Sequence, residues 1–246
     1  LLGIPVIIHE QNAVAGFTNT QLSRIAKTVC QAFPNTFAEA PKIVTTGNPV
    51  RSEITAIYNP SFRYIERMSI GEPIHVLIVG GSLGAQALNE TVPLALKQLN
   101  VPLKVFHQCG QNKQEATQAL YADIPQSMHV QVEPFIEDMA KAYANADLII
   151  CRAGALTVTE VATAGLAAVF VPLPSAVDDH QTANARFLET IGAAKICCQN
   201  SMTPESLKDL FSPLMDRQLL MEMAIKARQH AQPDATQRVV GLIQDL

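Results

Sequence analysis

Twice in this chain an apolar run stops at small residues and restarts as a helical pattern. His75-Val76-Leu77-Ile78-Val79 runs into Gly80-Gly81-Ser82-Leu83-Gly84-Ala85, and Asp147-Leu148-Ile149-Ile150 runs into Cys151-Arg152-Ala153-Gly154-Ala155-Leu156-Thr157-Val158-Thr159-Glu160. A strand that ends this way leaves N–H groups unpaired at the start of the helix, where an anionic group is readily held. Two such turns in one parallel sheet lie at the same end of the strands, where open α/β sheets bind ligands. The pattern points to a nucleotide diphosphate.

Short β-branched runs at 4–9, 43–46, 74–79, 103–107, 129–132, 148–151, 168–172 and 194–197 alternate with helical patterns. That alternation predicts an α/β fold with a parallel sheet covered by helices on both faces. The last six runs suffice for one doubly wound, Rossmann-like domain. Between them and the first two, residues 58–73 carry two prolines, a glycine and mixed charges without apolar periodicity, and read as a connector. A domain boundary is expected near Arg51, which makes the first part the tail of an earlier domain. At the other end Asp234 is an expected N-cap with Gln237 three residues later. Val239, Val240, Leu242, Ile243 and Leu246 form a stripe that needs cover. The opening Leu1-Leu2-Gly3-Ile4-Pro5, with no initiator Met, reads as a fragment lacking its natural N-terminus.

At 246 residues and 48% apolar content, the chain has enough material for a full core. Its 18 basic and 22 acidic residues give a net charge of −4 with no Lys/Arg cluster, which disfavours nucleic acid as a partner. Five cysteines, an odd number without CxxC spacing, suggest neither a disulfide framework nor a zinc site, and a reducing cytoplasm is the simplest compartment. The longest apolar stretch, 161–174, is interrupted by Thr163, Gly165 and Pro172 and is too short to span a bilayer.

The first glycine turn is spaced GGxxG, not GxGxxG, and the next strand ends His107-Gln108-Cys109 without the acid that would hold an adenosine ribose. NAD is therefore not expected, and no Gly-Lys-Ser/Thr follows to make a P-loop. Thr157 to Glu160 has capping-box spacing, the safer local reading; in the functional one, Glu160 offers two oxygens to a vicinal ribose diol. Asp178-Asp179-His180-Gln181-Thr182-Ala183-Asn184 mixes donors and acceptors as sugar hydroxyls require, or is a solvated loop with an aspartate N-cap. It lacks the ligand count of a metal site. Phe135-Ile136, after Pro134, offers a ring for a base to stack on, or is simply core. His9-Glu10-Gln11-Asn12 and Asn48-Pro49-Val50-Arg51 are polar clusters at strand ends, and Arg51 suits a phosphate.

Taken together, several stretches resemble the MurG family of bacterial peptidoglycan N-acetylglucosaminyltransferases, of the GT-B class. They are His9 to Asn12 with Gly16 and Asn19, Gly47 to Arg51, Gly80 to Ala85 with Asn89, Phe135 to Met139, Cys151 to Glu160, Gln181 with Asn184, and Pro233 to Thr236. The resemblance implies two Rossmann-like domains facing a cleft. The C-terminal one holds the donor UDP-N-acetylglucosamine, and the N-terminal one holds the lipid I acceptor. It divides the chain into 1–51 (end of the acceptor and membrane domain), 52–73 (connector), 74–232 (donor domain) and 233–246 (a final helix returning to the first domain). It also implies a cytoplasmic enzyme of peptidoglycan synthesis, peripheral on the inner face of the membrane through a domain upstream of Leu1, with no required cofactor or metal.

Carried over by motif, Phe135 and Ile136 contact the uracil, Glu160 takes the ribose hydroxyls, and Ser82, Arg51, Leu156 and Thr157 surround the diphosphate. Gln181 and Asn184, with backbone near Ala155, address the N-acetylglucosamine hydroxyls, while Arg152 supports that loop. His9, Glu10 and Asn12, with Asn19, match the acceptor-side patch, with Asn12 also facing the donor; Asn89 has a structural role. The reaction implied is inverting transfer to the C4 hydroxyl of MurNAc. The family's usual catalytic histidine lies upstream, so the fragment is expected to bind the donor and turn over poorly. The competing expectations are a UDP-N-acetylglucosamine 2-epimerase or a non-catalytic sugar-nucleotide sensor.

Overall fold

A computed structural model describes residues 3–174 and 179–246. The chain begins with β1 (Ile7–Glu10), α1 (Phe17–Leu22), β2 (Thr28–Gln31) and β3 (Ile43–Thr45), followed by α2 (Ser52–Thr55) and α3 (Pro60–Ser69). Then come β4 (Ile74–Val79), α4 (Gln86–Lys97), β5 (Leu103–Gln108), α5 (Gln114–Leu120), β6 (Met128–Glu133), α6 (Met139–Asn145) and β7 (Leu148–Cys151). The remainder is α7 (Ala155–Ala164), β8 (Ala167–Phe170), α8 (His180–Glu189), β9 (Ala194–Ile196), α9 (Pro204–Phe211), α10 (Arg217–Gln229) and α11 (Ala235–Gln244).

The strands form two parallel sheets, β1-β2-β3 and β6-β5-β4-β7-β8-β9. All eight expected strands are present, and the six in the larger sheet are the six assigned to the doubly wound domain. Strand β2 was not anticipated. Its sequence Thr-Val-Cys-Gln has only a two-residue apolar centre, too short to register as a run, yet it is the central strand of the small sheet.

Strands β4, β7 and β8 are buried on both faces, their side chains pointing alternately into two cores, whereas Lys104 of β5, His129 and Gln131 of β6 and Lys195 of β9 are exposed. Ile74, Val76, Ile78, Leu148 and Ile150 face a core shared with Leu88, Val92, Leu96 and Phe211. Leu77, Ile149 and Cys151 face the opposite core with Tyr143, Val158 and Leu188. Phe33 and Ala32, after β2, join that second core, and the Phe33 ring meets Phe187 edge-on at 5.1 Å.

The expected connector holds α3, a helix with inverted patterning. Arg63 is only 8% exposed, whereas Phe62 is 72% and Ile65 54% exposed. Asn59 caps it by accepting from Ser61 N–H at 3.0 Å, and Pro60 occupies the first turn. Arg63 turns inward to donate to the carbonyls of Tyr143, Ala144, Ala164 and Gly165, which end α6 and α7. An apolar-stripe test misses a helix whose buried face is guanidinium and phenol.

Helix α11 returns to the first unit. A Cβ on Gly47 would lie 2.5 Å from Gln232 Cβ and 3.3 Å from Ala235 Cβ, and Lys27 Nζ donates to the Leu246 carbonyl at 3.1 Å. Asp234 stands at the N-cap position, but its side chain makes no capping bond, contrary to expectation. Of the expected stripe, Val240 and Ile243 remain exposed.

Candidate functional site at the carboxyl edge of the larger sheet

Strand order reverses between β4 and β7, which pair side by side with Val79 opposite Cys151. The turns after these two strands are therefore neighbours at the carboxyl edge, at the switch point of the sheet.

The turn after β4 depends on glycine. Gly84 has φ +68, and a Cβ there would sit 1.9 Å from the Cys109 carbonyl oxygen; Gly81 has φ +83. Ser82, between them, is exposed. Beneath lies a polar floor: Asn89 Nδ2 donates to the Cys109 carbonyl at 2.8 Å, and its Oδ1 accepts from His107 Nε2 at 3.1 Å. Asn89 is thus structural, as expected. Gln108, at the end of β5, donates to the Gly81 and Pro134 carbonyls, each at 3.0 Å, tying this turn to the Phe135 loop. Phe135 is 54% exposed, so its ring is open to solvent, whereas Ile136 is buried. Those two residues also close one end of a groove of about 690 Å³ running over β5 and β6 past Phe106, Lys104 and His129, away from the strand ends.

The turn after β7 overturns the capping-box reading. Helix α7 begins at Ala155 with Gly154 as N-cap and no side-chain cap, so Thr157 is the third helical residue, not the cap. The opening N–H groups at Ala155, Leu156 and Thr157 are left for a ligand. Glu160 points instead to Arg51 Nη2, 3.3 Å from its Oε1, and to the Tyr143 hydroxyl, which donates to Oε2 at 2.9 Å. Arg51, expected at the diphosphate, therefore sits beside the ribose candidate as well. Arg152 holds the strand end from behind, donating to the Val171 and Pro172 carbonyls at 2.9 and 3.3 Å and to Gln199 Oε1.

Gln181 Oε1 accepts from Ala153 N–H at 3.3 Å and Leu173 N–H at 3.0 Å, which leaves its amide hydrogens without a partner among the described residues. Asn184 lies deeper than Gln181. It is fully buried, accepts from Ala13 N–H at 2.8 Å, and donates to Asn12 Oδ1 and the Ala153 carbonyl, each at 3.2 Å. With both amide hydrogens engaged, it fastens the Asn12 loop to the α7 turn. Asp178 and Ser175, in the polar stretch before α8, lie outside the described residues.

On the acceptor side Glu10 is also re-placed. It is buried, and both oxygens are filled: Oε1 by Asn12 N–H and Nδ2, Oε2 by Gly16 N–H and Asn19 Nδ2. Burial pushes its pKa up, but these donors outweigh it and hold the carboxyl below its ordinary value. Glu10 shapes the loop as a fixed anion and is a poor proton acceptor. His9 Nε2 lies 3.0 Å from the Gly47 carbonyl. The sequence reading missed Tyr143 and Gln108, because nothing local links Tyr143 to a carboxylate 17 residues on or Gln108 to two loops on either side of it. Among the described residues no group of three His, Cys, Asp or Glu fits a metal ion, and no helix is long and apolar enough to cross a membrane.

Comparison with known proteins agrees with this geometry. Residues 75–239 match the glycosyltransferase family 28 C-terminal domain. The chain is 74% identical to the UDP-N-acetylglucosamine–N-acetylmuramyl-(pentapeptide) pyrophosphoryl-undecaprenol N-acetylglucosamine transferase of Acinetobacter baumannii (strain SDF), over all of this chain and 67% of the relative. It is 52% identical to the enzyme of that name from Psychrobacter cryohalolentis, over 97% of this chain and 66% of the relative. The solved structure of Acinetobacter baumannii MurG superposes with a TM-score of 0.91 at 70% identity, covering 100% of this chain and 68% of that one. A kitacinnamycin glycosyltransferase, 17% identical with a TM-score of 0.63 over 92% of this chain and 56% of that one, shares the fold alone. With adjoining phosphate-capable turns on a doubly wound sheet and these relatives, the chain belongs to the MurG family of GT-B N-acetylglucosaminyltransferases.

Proposed function

We infer that this chain binds UDP-N-acetylglucosamine at the carboxyl edge of its larger sheet and serves inverting transfer of N-acetylglucosamine to the C4 hydroxyl of MurNAc in lipid I, giving lipid II. The observation that carries the reading is the adjacency of the β4 and β7 turns, with Glu160 one helical turn inside α7. Uracil stacks on Phe135 and meets the Ile136 backbone, and the ribose diol meets Glu160. The diphosphate lies between Ser82 and the N–H groups of Leu156 and Thr157, with Arg51 at its flank. Gln181 and backbone near Ala155 meet the sugar, and Asn184 braces that wall.

As the glycosidic bond breaks, negative charge grows on UDP, and aligned amides with a guanidinium stabilise it in place. The attacking hydroxyl needs a base, a contribution of about 10²–10⁴-fold. His9 and Asn12 line the acceptor side, while Glu10 keeps their loop in shape. Because lipid I is a membrane lipid, the enzyme works at the inner face of the cytoplasmic membrane.

Titration calorimetry with UDP tests the donor site. Glu160→Gln is expected to weaken UDP about tenfold, a charge-assisted hydrogen bond's worth, with little change in melting temperature. A large fall in melting temperature with unchanged UDP affinity would overturn the ribose role. Product analysis with a short-chain lipid I analogue is expected to show disaccharide formed only slowly, whereas ManNAc formed without acceptor would overturn the transferase reading in favour of an epimerase.

A further inference from the structure

Glu160 has one fixed partner on each oxygen, the Tyr143 hydroxyl on Oε2 at 2.9 Å and Arg51 Nη2 on Oε1 at 3.3 Å. A carboxylate oxygen accepts two hydrogen bonds, so each keeps a vacant lone pair, and the side chain is still 19% exposed. The two partners differ in kind. Arg51 is a largely exposed cation, whereas Tyr143 is 2% exposed and belongs to the core that includes Val158. Burial and then the Glu160 charge push the Tyr143 phenol well above its ordinary pKa, so it stays a donor at every physiological pH.

We propose that Tyr143 is a positioning residue that sets the plane of the Glu160 carboxylate, so that its two vacant lone pairs meet the 2′ and 3′ hydroxyls of a ribonucleotide, and that this contact makes the site prefer ribose over 2′-deoxyribose. The proposal rests on the ribose role given to Glu160 above. A vicinal diol presents two hydroxyls at a fixed separation, and a carboxylate receives both only in a narrow range of rotations about its last bond. An unanchored glutamate spreads over a broad range of that torsion, and ordering it on binding costs affinity. The phenol removes that freedom before the ligand arrives. Arg51 completes the clamp from a position 109 residues earlier in the chain, so the carboxylate is fully set only when the end of the first unit is docked against α7.

The test is calorimetry of the intact chain with UDP and with 2′-deoxy-UDP. The wild type is expected to favour UDP by about tenfold or more, the loss expected when a charged acceptor forfeits one hydroxyl partner. Tyr143→Phe keeps the ring and its packing; it should leave the melting temperature within a few degrees while bringing the ratio to about threefold or less, mostly through weaker UDP binding. A purely structural tyrosine would weaken both nucleotides equally and keep the ratio, which would overturn the proposal while leaving the donor site standing. Arg51→Gln, at an exposed position the fold tolerates, is expected to weaken both nucleotides and also narrow the ratio. If both variants discriminate as the wild type does, the clamp is refuted. A wild type that binds the two nucleotides equally would overturn the ribose role of Glu160 and the proposal with it.

Discussion

His107 lies under the glycine turn with no solvent exposure, and its partners assign its tautomer: Asn89 Oδ1 is an acceptor, so Nε2 carries the proton, and Nδ1 accepts from the Tyr121 hydroxyl at 2.9 Å. Burial lowers its pKa from 6.5 to about 4. The unfolded chain therefore binds this proton near pH 6.5 while the folded chain resists it, so the stabilisation is present above that pH and is lost as pH falls toward 4. At 1.36 kcal/mol per pH unit the loss across that window is about 3 kcal/mol. Urea unfolding between pH 7 and pH 4.5 measures it, and His107→Gln is expected to flatten the slope. At this scale the sequence was only half informative. The Thr157–Glu160 spacing satisfied two rules at once, and only the start of α7 at Ala155 decided between them. Glu10 read as chemistry because it is a carboxylate at a strand end, yet four donors from its own loop occupy it.

Among the elements, α3 is held by a buried charge hub. Asp147 has no solvent exposure, and its carboxylate takes Arg67 Nη1 at 2.5 Å, Arg217 Nη2 at 3.1 Å and the His75 N–H at 2.9 Å. Arg217 also donates to the Pro73 carbonyl, and Tyr64 to that of Asp147. Removing the anion strands two guanidinium groups in a dry site, so Asp147→Ala is expected to lower unfolding free energy by about 3–5 kcal/mol. Thermal and urea denaturation check this, and a loss under 1 kcal/mol would mean that water reaches the arginines. Strands β4, β7 and β8 were legible because double-faced burial leaves near-continuous apolar runs, and β5, β6 and β9 because their buried residues alternate with polar ones. Helix α3 and strand β2 were not, because one buries arginine and the other has only two apolar residues to show.

For the whole molecule, the small sheet and the unit built on the larger sheet meet through polar fasteners as well as the Phe33–Phe187 contact. Asn48 Nδ2 donates to the Gln11 carbonyl at 3.0 Å and to Thr159 Oγ1 at 3.1 Å, and Asn184 closes the same seam. Asn184→Ala leaves the Ala13 N–H and Ala153 carbonyl without partners, a cost of about 1–3 kcal/mol. Hydrogen exchange is expected to quicken at residues 12–16 while the β4–β5 core is unchanged; uniform acceleration would show that Asn184 supports the fold as a whole. The sequence by itself determined the fold class, the six strands of the large sheet and the two amide-lined turns, because strand burial and glycine geometry are written in consecutive residues. Only the tertiary structure decided which polar side chains are free to meet a ligand. Asn184, Tyr143 and Gln108 take their roles from partners 17 to 172 residues away in the chain, and hydrogen bonding across such distances leaves no local pattern to read.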